Sequence, residues 1–216
     1  RLPVSFQNLK ELRELDLSEN LQYGEVINGV PEVLRIDQDQ IFGILKELPE
    51  LQVLDLSENR LTMLSPAVAP LDQVRVLNLK ANLLTALPEE IGAMTALEEL
   101  DLSTAALGKA GNRISRLPSS FSNLKNLRRL NLNSNMFVEM DGAALERLPN
   151  LEWLDMSWNR LTSFPEVFRQ TENLRYLDLS VNLINELPEW IGEMQQLEEL
   201  IINGDFFLPP GYKIKT

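Results

Sequence analysis

Leucines fall at positions 12, 15 and 17 and again at 51, 54 and 56, and each triplet is followed three residues later by an asparagine. The last two leucines of a triplet are spaced by two. In an extended chain Leu15 and Leu17 therefore point to one face, while Glu14, Asp16 and Ser18 point to the other. Eight segments carry this pattern: LRELDLSEN (12–20), LQVLDLSEN (51–59), VRVLNLKAN (74–82), LEELDLSTA (97–105), LRRLNLNSN (127–135), LEWLDMSWN (151–159), LRYLDLSVN (174–182) and LEELIINGD (197–205). The starts at 51, 74 and 97, and those at 151, 174 and 197, are 23 residues apart, with a step of 24 from 127 to 151. A second motif follows most copies, as in LTALPEEIGAM (84–94), ISRLPSSFSNL (114–124), LTSFPEVFRQT (161–171) and INELPEWIGEM (184–194). A strand this short cannot bury its leucines alone, so the copies are predicted to stack in parallel around one continuous core. The proline-containing segments then run back along the outer side as short helical turns, with proline presetting the entry.

These copies resemble the leucine-rich-repeat family, in the 23-residue subclass whose motif reads LxxLxLxxNxLxxLPxxI/F and which occurs in intracellular scaffold proteins and many bacterial proteins. The resemblance implies an α/β solenoid, a right-handed superhelix with a parallel concave β-sheet and a convex face of coil, 3-10 or short helical turns. It extends over nearly the whole chain, so residues 1–216 read as one solenoid domain. It also implies a non-catalytic module that recognises another protein or peptide with its concave face. Two other readings stay open: a substrate-recognition or sensor domain of a larger enzyme or signalling protein, and a cell-surface adhesive protein that binds carbohydrate.

The asparagines at 20, 59, 82, 112, 135, 159 and 182 are expected to form a ladder. An amide both donates and accepts, so a buried Asn can satisfy backbone groups that a sharp turn would leave unpaired. Replacing Asn135 by leucine is predicted to cost a few kcal/mol, about the cost of unsatisfied buried polar groups.

The pattern is interrupted twice. The step from 12 to 51 exceeds 23 by 16, placing an insertion near 21–44, and the step from 97 to 127 exceeds it by 7, placing another near 104–111. The second delays the asparagine to Asn112, which is why Ala105 stands where a ladder member is expected. Insertions of this kind map to loops, often on a binding face, and long ones are also tolerated as plain surface loops. Residues 1–20 parallel 116–135, so 1–11 read as a partial repeat, and a further segment is expected to cover that edge of the sheet. Residues 203–216 leave the pattern, with Asp205 for Asn and then Phe206, Phe207 and two prolines, and read as a C-terminal cap.

Composition narrows the chemistry. The chain has no cysteine and no histidine, which removes thiol nucleophiles, Ser-His triads and N/S zinc sites. The stretch LGKAG lacks the spacing and hydroxyl of a phosphate-binding loop. Carboxylates are plentiful, yet strung along a sheet they form no closed acid–base pocket. No catalysis, cofactor or metal site is expected. With 20 basic and 32 acidic residues the net charge is −12, which disfavours nucleic acid and anionic lipid and favours a partner with a basic patch. No apolar run approaches the ~20 residues of a membrane span. The absence of cysteine, of glycosylation sequons and of a signal-peptide pattern gives a cytoplasmic expectation.

The outward positions carry the candidate site. One column reads Glu14, Val53, Val76, Glu99, Arg129, Trp153, Tyr176 and Glu199, and the next reads Asp16, Asp55, Asn78, Asp101, Asn131, Asp155, Asp178 and Ile201. Strands about 4.8 Å apart would set Trp153 beside Tyr176 and Asp155 beside Asp178, with Arg129 and Glu199 flanking and Trp158 at the rim. Exposed aromatics among charges have the composition of an interface hot spot; the same pair could equally stiffen the sheet by cross-strand packing. The aspartates are expected to hydrogen-bond locally rather than hold a metal, and to remain candidates for a basic peptide. Trp190, in an outer segment, is expected to pack on the neighbouring coil.

Overall fold

The computed structural model describes residues 2–20, 26–27, 30–31, 37–104, 111–140, 142–145 and 148–202. Each copy of the leucine pattern forms one three-residue strand: β1 (Glu14–Asp16), β4 (Val53–Asp55), β5 (Val76–Asn78), β6 (Glu99–Asp101), β7 (Arg129–Asn131), β8 (Trp153–Asp155), β9 (Tyr176–Asp178) and β10 (Glu199–Ile201). These eight pair in parallel in that order, while β2 (Val26–Ile27) and β3 (Val30–Pro31) make a separate antiparallel pair. Parallel pairing needs a crossover, and each crossover is the outer segment of a repeat. Five of the outer turns are 3-10 turns entered from Pro3, Pro88, Pro118, Pro165 or Pro188, whose φ values lie between −66° and −74°.

The register follows the leucines. Leu54, Leu77, Leu100, Leu130, Leu154 and Leu177 are each no more than 2% exposed, and Met156 and Leu179 in the following row are equally buried. Each such side chain is worth roughly 1.5–3 kcal/mol of burial. Leu15 and Leu200, at the two ends of the row, are only half-buried. The outer turns add Ile91, Phe121 and Phe168, all fully buried.

The sequence pattern misassigns one element. Residues 38–44, placed within the first insertion, belong instead to helix α1 (Gln38–Leu45), which occupies the outer slot of its own repeat and packs on the 3-10 turn Pro66–Val68. Asp37 caps it, its carboxylate accepting from the Gln40 N–H at 3.0 Å, and it buries Ile41, Phe42, Ile44 and Leu45. A second short helix, α2 (Gly142–Leu145), fills the outer slot of the 24-residue repeat. Residues 105–110 and the cap assigned to 203–216 lie outside the described residues.

Adjacent outer turns interlock through Gly92. A Cβ there would collide with the Ser120 carbonyl oxygen and lie 2.7 Å from the Ser120 Cβ. The Glu89 carboxylate accepts from the Ser120 N–H (2.9 Å) and Ser119 N–H (3.2 Å), and these bonds, Ser120's first, hold its pKa below the usual carboxylate range. Gly192, at the matching position of a later repeat, has no atom of the described residues within 4 Å of such a Cβ. Gly92→Ala is therefore expected to cost about 1–3 kcal/mol, whereas Gly192→Ala should leave the thermal midpoint almost unchanged. Parallel thermal melts of the two variants check this.

Candidate functional site

The concave face presents the two outward columns side by side. Trp153 and Tyr176, paired across β8 and β9, stack with centroids 5.0 Å apart and planes 9° from parallel. The Arg129 guanidinium carbon lies 4.4 Å from the Trp153 ring centroid, and Arg129 Nε is 3.8 Å from the Glu99 carboxylate. Across five strands the row reads Glu99, Arg129, Trp153, Tyr176, Glu199. Both rings are half-buried and the three charged residues exposed. Cross-strand packing of the aromatics is thus present, and the stack still offers an edge to solvent.

The second column works locally along its length. Asp16, Asp55, Asn78, Asp101, Asn131, Asp155 and Asp178 each accept, through Oδ1, the N–H two residues on at 2.8–3.1 Å. This closes each strand with an Asx turn. Asn78 also donates to Asp55 Oδ2 at 2.8 Å and Asn131 to Asp101 Oδ2 at 3.5 Å, so amides separate those carboxylates. No amide separates Asp155 from Asp178, which are direct partners in register. Burial pushes the Asp155 carboxyl above its ordinary value near 3.8, the charges of Asp178 and Asp101 add to this, and hydrogen bonds from Ser157 oppose it. Among the described residues no three His, Cys, Asp or Glu side chains converge to hold a metal ion.

A raised carboxyl has a signed consequence. The folded chain binds the Asp155 proton more tightly than the unfolded chain does. The resulting stability is complete below the ordinary value near 3.8 and is lost as pH rises through the folded value. Asn is already accommodated at positions 78 and 131 of this column. Asp155→Asn is therefore expected to melt with the natural chain near pH 3 and above it at pH 7; melts across that range check the sign.

Two features escape a reading of the sequence. A depression of about 240 Å³ lies beside the stack, lined by Val76, Glu99, Asp101, Arg129 and Trp153 among others; its signal is the step in the outward column from Val53 and Val76 to the longer Glu99, Arg129 and Trp153. The second is backbone conformation. The residue before six of the seven ladder asparagines, namely Glu19, Glu58, Ala81, Ser134, Trp158 and Val181, is left-handed with φ of 54–57°. Trp158 is thereby presented at the rim, 45% exposed, beyond the stack. Trp190 lies on the outer side, edge-on to Phe164 at 5.5 Å, and its Nε1 donates to Glu166 at 3.0 Å.

The asparagines line the turn. Asn82 Oδ1 accepts from the Asn59 and Leu61 N–H groups at 3.1 and 3.0 Å, and its Nδ2 donates to the Leu56 and Leu79 carbonyls at 2.9 Å each. Asn112, Asn135, Asn159 and Asn182 repeat the arrangement and are buried, as is Asn59. Asn20, expected to be buried like the rest, is exposed, because β1 is the end strand of the sheet and no coil of the described residues covers its open side.

The sequence profile described as Leucine rich repeat matches residues 49–107 and 110–161, just over half of the chain, and a second profile of that description matches 173–194. The chain belongs to the leucine-rich-repeat family. No curated protein matches its sequence at a significant level. Among solved structures it is similar to an internalin from Listeria monocytogenes (TM-score 0.67, 19% identity, 93% of this chain and 50% of that one). It is also similar to a plant peptide hormone receptor, RGFR1, in complex with RGF2 (0.63, 25%, 93% and 34%). A third is TLR13 in a complex with ssRNA13 (0.65, 28%, 76% and 23%). The chain spans half or less of each of these, and the shared leucine-rich-repeat solenoid carries ligands of unlike chemistry.

Proposed function

We propose that this leucine-rich-repeat chain is a non-catalytic recognition module that binds a partner protein or peptide on its concave face. The binding surface centres on Trp153 and Tyr176, with Arg129, Asp155, Asp178 and Glu199 around them and Trp158 at the rim. The observation that carries this reading is the aromatic stack standing on a sheet face that no other element of the described residues covers. Aromatic rings offer large contact area at low rotamer cost, and the surrounding charges fix orientation. The plant receptor bound to a peptide hormone supports a peptide or protein partner. The TLR13 complex admits RNA as a ligand of the fold, but a net charge of −12 argues against a phosphate backbone here.

A photo-crosslinking residue tests the reading. Placed at Tyr176 it should give a discrete adduct in native lysate, while at Gln170, exposed on the outer side of the solenoid, it should give none. Equal adducts from both positions, or adducts from Gln170 alone, would move the binding surface off the concave face.

A further inference from the structure

The solenoid balances its charges in one column and leaves them unbalanced in the next. At the entrance to the strands the residues read Gln52, Arg75, Glu98, Arg128, Glu152, Arg175 and Glu198, alternating in sign from Arg75 onward. Neighbours pair across the strands, Arg75 with Glu98 at 3.1 Å, Arg128 with Glu152 at 2.5 Å and Arg175 with Glu198 at 2.7 Å. One and three positions further on, the concave face carries Glu99, Asp101, Asp155, Asp178 and Glu199 with Arg129 as the basic residue among them. Among the described residues no lysine or arginine forms an ion pair with Asp155, Asp178 or Glu199.

The two ends of the aromatic stack are unequal in the same sense. On the Trp153 side Arg129 lies over the ring and against Glu99, so cation, ring and carboxylate satisfy one another. On the Tyr176 side the next residue in the row is another carboxylate, Glu199, with Asp178 beside it in the second column. Burial raises the Tyr176 phenol above its ordinary value near 10, and the charges of Asp178, Asp155 and Glu199 add to this, with a hydrogen bond to Asp178 contributing last. A ring face next to two carboxylates, with no base paired to them among the described residues, is the complement of a planar cation.

We propose that the corner formed by Tyr176, Asp178 and Glu199 receives an arginine side chain of the partner, held as Arg129 is held between Trp153 and Glu99. Arginine fits better than lysine because its guanidinium both stacks on a ring and forks to carboxylates. The assignment rests on the concave face being the recognition surface and specifies the chemistry of what binds there.

Calorimetric titration with an octa-arginine peptide at physiological salt tests it, using Asp178→Asn with Glu199→Gln against a control that removes the same charge from β1, Glu14→Gln with Asp16→Asn. Asparagine already stands at positions 78 and 131 of the aspartate column. The corner variant should bind at least about ten-fold more weakly than the natural chain and the control within about two-fold of it. Octa-lysine should bind more weakly than octa-arginine. Equal losses in both variants would mean a diffuse acidic field, and equal binding of the two peptides would remove ring stacking; either result overturns the proposal. If the peptide ignores the corner variant while the position-176 crosslink persists, the arginine corner is wrong and the recognition face stands. Loss of peptide binding in the corner variant without any crosslink leaves the corner and removes the recognition reading.

Discussion

Asn82→Leu is expected to destabilise the chain by about 3–5 kcal/mol, from several buried backbone groups left unpaired at roughly 1–3 kcal/mol each and not fully additive. Asn82 is fully buried and satisfies four of them: the N–H groups of Asn59 and Leu61 and the carbonyls of Leu56 and Leu79. Leucine matches the side chain in size but offers neither donor nor acceptor to these groups. At about 2–4 °C per kcal/mol for a domain of this size, the thermal midpoint should fall by roughly 10 °C. Asn135→Leu should behave alike, since it strands the Ile114 N–H and the Leu102 carbonyl. Asn20→Leu is the control: its amide donates to the Ser18 carbonyl at 3.0 Å from an exposed position, so it should cost under about 1 kcal/mol. Equal midpoints for Asn82→Leu and Asn20→Leu would contradict a buried amide ladder.

Phe121→Ala is the second large effect, about 3–5 kcal/mol from lost burial plus the cavity left behind. The ring is fully buried in the turn Ser119–Asn123, between coils that pack on both sides. Those coils are tied by the glutamate–serine bonds and the close Gly92 contact, so the gap cannot collapse easily. Phe6 has the same place in the first outer turn but is half-buried, and Phe6→Ala should cost distinctly less. Urea denaturation of the two variants reads the difference as a shift in midpoint. Similar losses would mean that the end coil is covered as well as the middle ones.

Much of this architecture is written in local spacing. The period of two in segments such as ELDL assigns Leu15 and Leu17 to one face and Glu14 and Asp16 to the other, and parallel register then sets Trp153 beside Tyr176. Register gives adjacency but not ring orientation, so the near-parallel stack and the guanidinium over it had to come from the structure. The left-handed residues left no trace because five different kinds of side chain hold that conformation at these six positions without one glycine. It goes with backbone bonds between neighbouring coils, the Trp158 N–H donating to the Ser180 carbonyl at 2.9 Å and the Ala81 N–H to the Ser103 carbonyl at 2.8 Å. Helix α1 did carry a signal, Asp37 as a cap and then Ile41, Phe42 and Leu45. Counting surplus residues against the 23-residue period placed that stretch in an insertion long enough for secondary structure of its own, without locating the helix within it.

Removing the stack should scarcely touch the fold. Trp153 and Tyr176 lie on the open side of the sheet, and their mutual contact is worth about 0.5–1.5 kcal/mol beyond buried area. As anchors of an interface the same two rings should carry far more, since hot-spot aromatics cost about 2 kcal/mol or more apiece when truncated. The decisive measurement is the affinity of the partner captured by the position-176 crosslink for the natural chain and for the Trp153→Ala, Tyr176→Ala variant, with circular dichroism confirming that both are folded. Recognition through the concave aromatic stack predicts binding weaker by at least about a hundred-fold. Unchanged affinity in a folded variant would contradict it.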